Sequence, residues 1–179
     1  MVGAVHRHPW NRLLAWGVDW LCIVVWVGIT AAVGIPLYRA GVTTGLSLVT
    51  LNVIATLILV VPVTLGLAGL ESGGRRASLG KRMRGLRVVH AGTGARVSFW
   101  RALARNAMKV AVPWTIGHAA VFGIVSSGGV SSGGDSAVPV TVWLVTAMAY
   151  LLPVGYVVTL FIGSGRTPYD RIAGTAVVR

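Results

Sequence analysis

Carboxylates and cysteine are the scarce residues of this sequence. Among 179 residues the acids are Asp19, Glu71, Asp135 and Asp170, set against sixteen lysines and arginines, and Cys22 is the single cysteine. One cysteine excludes an intrachain disulfide framework and a cysteine-built zinc site. Charge of either sign is also thin, at 11% of residues, against roughly 25% in an ordinary soluble domain. With 55% hydrophobic residues and a mean hydropathy of +0.77, a water-soluble globule is excluded. The net charge of +12 raises the question of nucleic acid. In so apolar a chain, however, basic residues face lipid headgroups, and no nucleic-acid partner is expected.

What the chain has in quantity is long apolar runs. A hydrocarbon core of about 30 Å takes about 20 apolar residues in a helix, because lipid offers no partner for unpaired backbone groups. Four spans are read at about 13–37, 45–70, 107–127 and 138–162, with a connecting loop at 71–106. The first is broken only by Asp19; the third has its apolar run proper from Val110 and fades in a Ser/Gly-rich stretch after Val125. The whole chain reads as one domain, 1–179. The first run is longer than the about 7 to 15 residues of a signal-peptide core and carries an acid, which argues against cleavage.

An even number of spans puts both termini on one side, and the basic residues say which. Lys and Arg in short loops stay cytoplasmic. Arg7 and Arg12 precede span one, the stretch from Glu71 through Lys109 holds ten basic residues, and Arg166, Arg171 and Arg179 follow span four. The other two loops hold Arg39 and Asp135. Both termini and the long loop are therefore assigned to the cytoplasm. Trp10, Trp16 and Trp20 cluster at that end of span one, where amphipathic rings sit well.

An offset of 89 residues aligns the chain with itself. It sets Arg12-Leu13-Leu14-Ala15 on Arg101-Ala102-Leu103-Ala104, Gly28, Gly34 and Ile35 on Gly117, Gly123 and Ile124, and Arg82, Gly85, Val88 and Val89 on Arg171, Gly174, Val177 and Val178. Two tandem α-hairpin repeats, related by an axis along the membrane normal, would give this pattern; chance alignment of apolar, Gly-rich helices is the alternative. At this offset Asp19 meets Met108 and Asp170 meets Lys81, so the acids are the asymmetric additions.

In the loop, Leu86-Arg87-Val88-Val89 between Gly85 and the Gly92-Thr93-Gly94 turn reads as a strand. Arg96-Val97-Ser98-Phe99 could return as its hairpin partner, and Thr175–Val178 could add a third strand that brings Asp170 back to the bundle. Gly80-Lys81 is no P-loop: Arg75 stands where the earlier glycine belongs, and no Ser or Thr follows Lys81. Arg101, Arg105 and Lys109 recur every four residues and form one basic stripe on a helix, read as facing headgroups or as an anion or acidic-lipid site at the bundle.

Asp19 is the best functional candidate, because intramembrane acids face a bundle interior or wet cavity. Its structural alternative is an ion pair with an arginine of a neighbouring helix, such as Arg101 or Arg105. Arg12, seven residues earlier, lies on nearly the same face but two turns away, so each should have another partner. His118, in span three, reads as a proton relay or a hydrogen-bonded packing residue. Asn52 and Thr56 read as interhelical glue, and Pro62, Pro113 and Pro153 as helix kinks. No nucleophile–base set, catalytic carboxylate pair or metal-ligand spacing is seen. Neither an enzyme nor a cofactor is expected.

Arg12, Asp19, the loop Ser78-Leu79-Gly80-Lys81-Arg82-Met83-Arg84-Gly85-Leu86-Arg87-Val88-Val89, the run Arg101 to Asn106, and the closing Asp170-Arg171-Ile172-Ala173-Gly174-Thr175-Ala176-Val177-Val178 together resemble the RDD family of bacterial membrane proteins. That family is named for one arginine and two aspartates, here Arg12, Asp19 and Asp170. The resemblance covers nearly the whole chain and implies an all-α, four-helix membrane bundle of the bacterial plasma membrane with a small cytoplasmic β-hairpin or sheet. It implies transport of a small ion or solute, cation/proton exchange being the sharpest form. Four short helices enclose little room, so a homo-oligomer is expected. The reading from another class is a non-transporting adaptor whose basic loop binds acidic lipid or a partner protein.

Overall fold

Apolar runs that show no polar face make helices only where something other than water covers them. The computed structural model describes residues 8–127 and 138–179; Arg7, Asp135 and most of the Ser/Gly stretch lie outside them. Helix α1 runs over Pro9–Arg39 and α2 over Leu48–Ser72. The third span is α4 (Phe99–Asn106), a π-helical turn at Ala107–Ala111, and α5 (Val112–Ser126); the fourth is α6 (Val140–Phe161). All four are long and apolar enough to cross a membrane. Leu21, Val24, Val25, Ile29 and Val33 point outward from α1, as lipid-covered residues do. The protein is an all-α membrane bundle.

The third span starts at Phe99 rather than near 107, and α2 reaches Ser72. The loop is correspondingly shorter than 71–106. It holds α3 (Leu79–Met83) and β1 (Arg87–His90); after α6 come α7 (Pro168–Ile172) and β2 (Thr175–Val178). β1 pairs antiparallel with β2, Val88 opposite Val177 and Val89 opposite Ala176. The Arg96–Phe99 hairpin strand does not form: Val89 and Arg96 share one isolated bridge. The Ser98 hydroxyl instead accepts the Arg101 N–H at 3.4 Å and starts α4, as a serine cap does.

The element order agrees with an internal duplication. α3 and α7 are five residues each and start 89 positions apart, at Leu79 and Pro168. Each half is a long helix, a return helix, a short helix and a strand. Antiparallel pairing of the two strands is what a two-fold relation between halves requires.

Tight packing is concentrated where the sheet meets the bundle. Ala15, Ala68, Leu86, Val88, Val97, Ala102 and Val177 form the buried cluster there. Gly80 is part of its geometry: a Cβ at this position would land on the Ala15 carbonyl of α1. Only glycine lets α3 lie so close to α1.

Candidate functional site

The sheet end of the bundle holds a buried chain of charges whose signs alternate. Glu71, the single acid of α2, is wholly buried. It accepts Lys81 Nζ at 2.7 Å, Arg105 Nη1 at 2.7 and 2.9 Å, and Asn106 Nδ2 at 2.9 Å. Arg105 turns its Nε to Asp170 Oδ1 at 2.8 Å, and its guanidinium lies 5.2 Å from the Tyr169 ring centre. Asp170 also takes Arg12 Nη2 at 2.6 Å and the Thr167 hydroxyl at 2.8 Å. Arg12 ends this branch by donating to the Gly165 carbonyl.

On the other side of Lys81 stands Asp19. It accepts the Ser78 hydroxyl at 2.7 Å and the Gly80 N–H at 2.9 Å, and lies 3.7 Å from Lys81 Nζ and 3.9 Å from Lys109 Nζ. The order is therefore Lys109, Asp19, Lys81, Glu71, Arg105, Asp170, Arg12. Burial works to raise the Asp170 carboxyl, but the guanidiniums of Arg105 and then Arg12 overcome it and hold the group down at about 2 from its ordinary 3.8.

Arg12 and Asp19 do have separate partners, as their spacing required. Asp19 does not pair with Arg101 or Arg105. Gly80 brings the first turn of α3 onto α1, so Asp19 is used by α3 and by Lys81, while Arg105 is drawn to Glu71. The basic stripe is divided in the same way. Arg101 is exposed, whereas the side chains of Arg105 and Lys109 are 1% and 6% exposed and face inward. A headgroup-facing stripe is thus corrected to one outward arginine and two interior cations.

Lys109 sits in the middle of the π-helical turn. Such turns are frequent at functional sites, and this one has a local cause. Pro113 lacks the N–H that would bond to the Lys109 carbonyl four residues back, and Tyr156 of α6 donates its hydroxyl to the neighbouring Met108 carbonyl at 2.9 Å.

Beyond Lys109 the bundle is hollow. A cavity of about 280 Å³ is lined by Trp16, Trp20, Trp114 and Tyr156, with Asp19 and Lys109 at its sheet end. Trp114 Nε1 is buried and has no hydrogen-bond partner among the described residues. A second cavity of about 550 Å³ reaches from the same level toward Leu48 and Ile124 at the opposite end. Gly117, His118 and Ala149 line both. His118 stacks on Trp114 with ring centres 5.1 Å apart. Asn52 faces the second cavity, and its bond with Thr56, at 3.4 Å, lies within α2 rather than between helices.

Glu71, Lys81, Ser78 and Asn106 belong to this site although the sequence did not single them out as functional. The available signal was Glu71 itself, one of four acids, placed at the end of a charge-free apolar run.

Four apolar helices closed at one end by buried ion pairs and a two-stranded sheet define a small polytopic membrane protein. The sequence model of the RDD family matches residues 7–178. The chain belongs to the RDD family. No curated protein and no solved structure matches it.

Proposed function

We propose that this protein moves a small solute or ion across the membrane, with the basic, sheet-bearing side in the bacterial cytoplasm. The observation that carries the reading is that two cavities, one lined at the sheet end by Asp19 and Lys109 and the other reaching Leu48 and Ile124, share a wall at Gly117, His118 and Ala149. His118 stands where a proton relay would be placed, between the charged floor at Asp19 and Lys109 and the polar Asn52 beyond. Cation/proton exchange at Asp19 is the form with less support, since both oxygens of Asp19 are already engaged. Four helices enclose the passage narrowly, which favours a homo-oligomer as the working unit.

The adaptor reading also has a specific observation behind it. Arg75, Arg76, Arg82 and Arg87 surround a surface hollow of about 480 Å³ on the sheet side, suited to anionic lipid headgroups or an acidic partner.

Cysteine labelling separates the two. In a Cys22→Ser background, His118→Cys should react with a membrane-impermeant thiol reagent in sealed vesicles, and adding reagent from either side should reach it. A cysteine at 118 that stays unlabelled from both sides, in a folded protein, contradicts the passage and leaves the adaptor.

A further inference from the structure

Resting on the transport reading, we infer that the sheet-side cavity is a binding site for a small organic monoanion, with a carboxylate head on Lys109 and an apolar, ring-sized body among the tryptophans. The alternating chain begins with Lys109 and ends with Arg12, so four cations face three carboxylates. One positive charge is in excess. At the Arg12 end that excess is well held, by Asp170 at 2.6 Å and by the Gly165 carbonyl. At the Lys109 end it is not. Lys109, its side chain 6% exposed, has Asp19 Oδ2 at 3.9 Å from its ammonium, the longest of the six ion pairs among the described residues and beyond hydrogen-bonding reach.

A buried ammonium without close acceptors is costly, and here it borders a void. Trp114, whose buried Nε1 has no hydrogen-bond partner among the described residues, is part of the wall of the same void. An ammonium on an otherwise largely apolar wall calls for a ligand that brings an acceptor and negative charge. A cation would add to the excess already present; a neutral solute would leave Lys109 unmatched. Size narrows the class further. An apolar cavity of about 150 Å³ takes benzene, so about 280 Å³ accommodates a two-ring body or its aliphatic equivalent. The aromatic part of the lining, Trp16, Trp20, Trp114, Tyr156 and Tyr169, favours such a body through stacking and edge contacts.

The test uses the full chain in lipid nanodiscs and three probes of one shape: 2-naphthoate, 2-naphthamide and 2-naphthylmethylammonium. Calorimetric titration should show naphthoate binding at least tenfold tighter than the other two. Lys109→Met should bring naphthoate down to the affinity of the amide, and Lys109→Arg should keep the preference. Ala149→Phe, which fills the opposite wall and leaves every charge in place, should weaken naphthoate at least tenfold, and it decides the matter if Lys109→Met does not fold. The inference is overturned if the ammonium binds as tightly as naphthoate, if naphthoate gives no heat up to millimolar concentration, or if Lys109→Met binds it unchanged. Uptake into proteoliposomes tells this failure from that of the broader reading. Naphthoate that binds yet never crosses leaves the anion site standing without transport, whereas uptake of a cationic solute with no naphthoate binding leaves transport without the anion site.

Discussion

The Arg12 guanidinium meets the Asp170 carboxylate at 2.6 Å, joining positions 158 residues apart. The contact ties the mouth of α1 to the short helix that follows α6, and so fixes the first half of the chain to the second. At the 89-residue offset the reciprocal partners are Arg101 and Lys81, two cations. That contact has no counterpart, and Arg101 is exposed while Lys81 turns to Glu71. One pseudo-symmetric relation is used once, and the acid that would complete the other is supplied by α2 as Glu71.

Removing one member of the chain should therefore cost more than removing a surface pair. Glu71→Gln leaves Lys81 and Arg105 buried without their shared carboxylate, a change that typically costs about 3–5 kcal/mol. Thermal unfolding in detergent should show a large drop in midpoint; a shift no greater than that of Arg84→Gln, an exposed arginine, would contradict the central place given to Glu71.

The two lysines should differ. Lys81 donates to Glu71 at 2.7 Å and to Ser78 at 3.1 Å, so Lys81→Met should destabilise markedly. Lys109→Met removes the cation in excess and an unmatched buried charge, and should be neutral or stabilising. Equal losses in the two variants would show that the loose end of the chain has been misassigned.

Acid should weaken the joint between the halves. The folded Asp170 pKa, about 2, lies below its ordinary 3.8. A lowered folded pKa contributes stability that is present above the unfolded value and lost as pH falls through the folded one. The midpoint of unfolding should decline from about pH 4 toward pH 2 on this account, and Asp170→Asn, less stable at neutral pH, should show a shallower decline over that window.

Close approach of α3 and α1 makes a sharp prediction at one glycine. A side chain at Gly80 would meet the Ala15 carbonyl, whereas one at Gly66, in α2, would meet nothing within 4 Å. Gly80→Ala should push α3 from α1, loosen the Asp19 bonds and cost about 1–3 kcal/mol. Gly66→Ala should be harmless or slightly stabilising, since alanine is the better helix former. Comparable melting of the two variants would rule out the tight α1–α3 contact.

Much of the architecture was legible in the chain because lipid leaves few choices. Uncharged runs of about 20 residues have to become helices, and the β-branched stretches at Leu86–Val89, between glycines, and at Thr175–Val178, after Gly174, stood out. The two-turn spacing of Arg12 and Asp19 already required separate partners. What a one-dimensional pattern does not carry is which face of a helix turns inward. Arg105 and Lys109 share a stripe with Arg101, but the inward turn of the stripe depends on Glu71 of α2 and on the π-helical turn before Pro113. Asp19 was found by its cost in an apolar run. Its partners were not, because they depend on the absence of a Cβ at Gly80, a tertiary contact rather than a sequence period.

The most direct measurement is solute uptake by proteoliposomes containing the wild type or Gly117→Leu. Gly117 borders both cavities, and a Cβ there meets no neighbouring atom within 4 Å, so a leucine can start from this shared wall without a clash at its Cβ. With equal reconstitution and equal melting temperatures, the account predicts uptake of small anionic or proton-coupled solutes by the wild type and its loss in Gly117→Leu. Uptake that persists unchanged in Gly117→Leu, or none by the wild type for either anionic or cationic solutes, would contradict a passage through the two cavities.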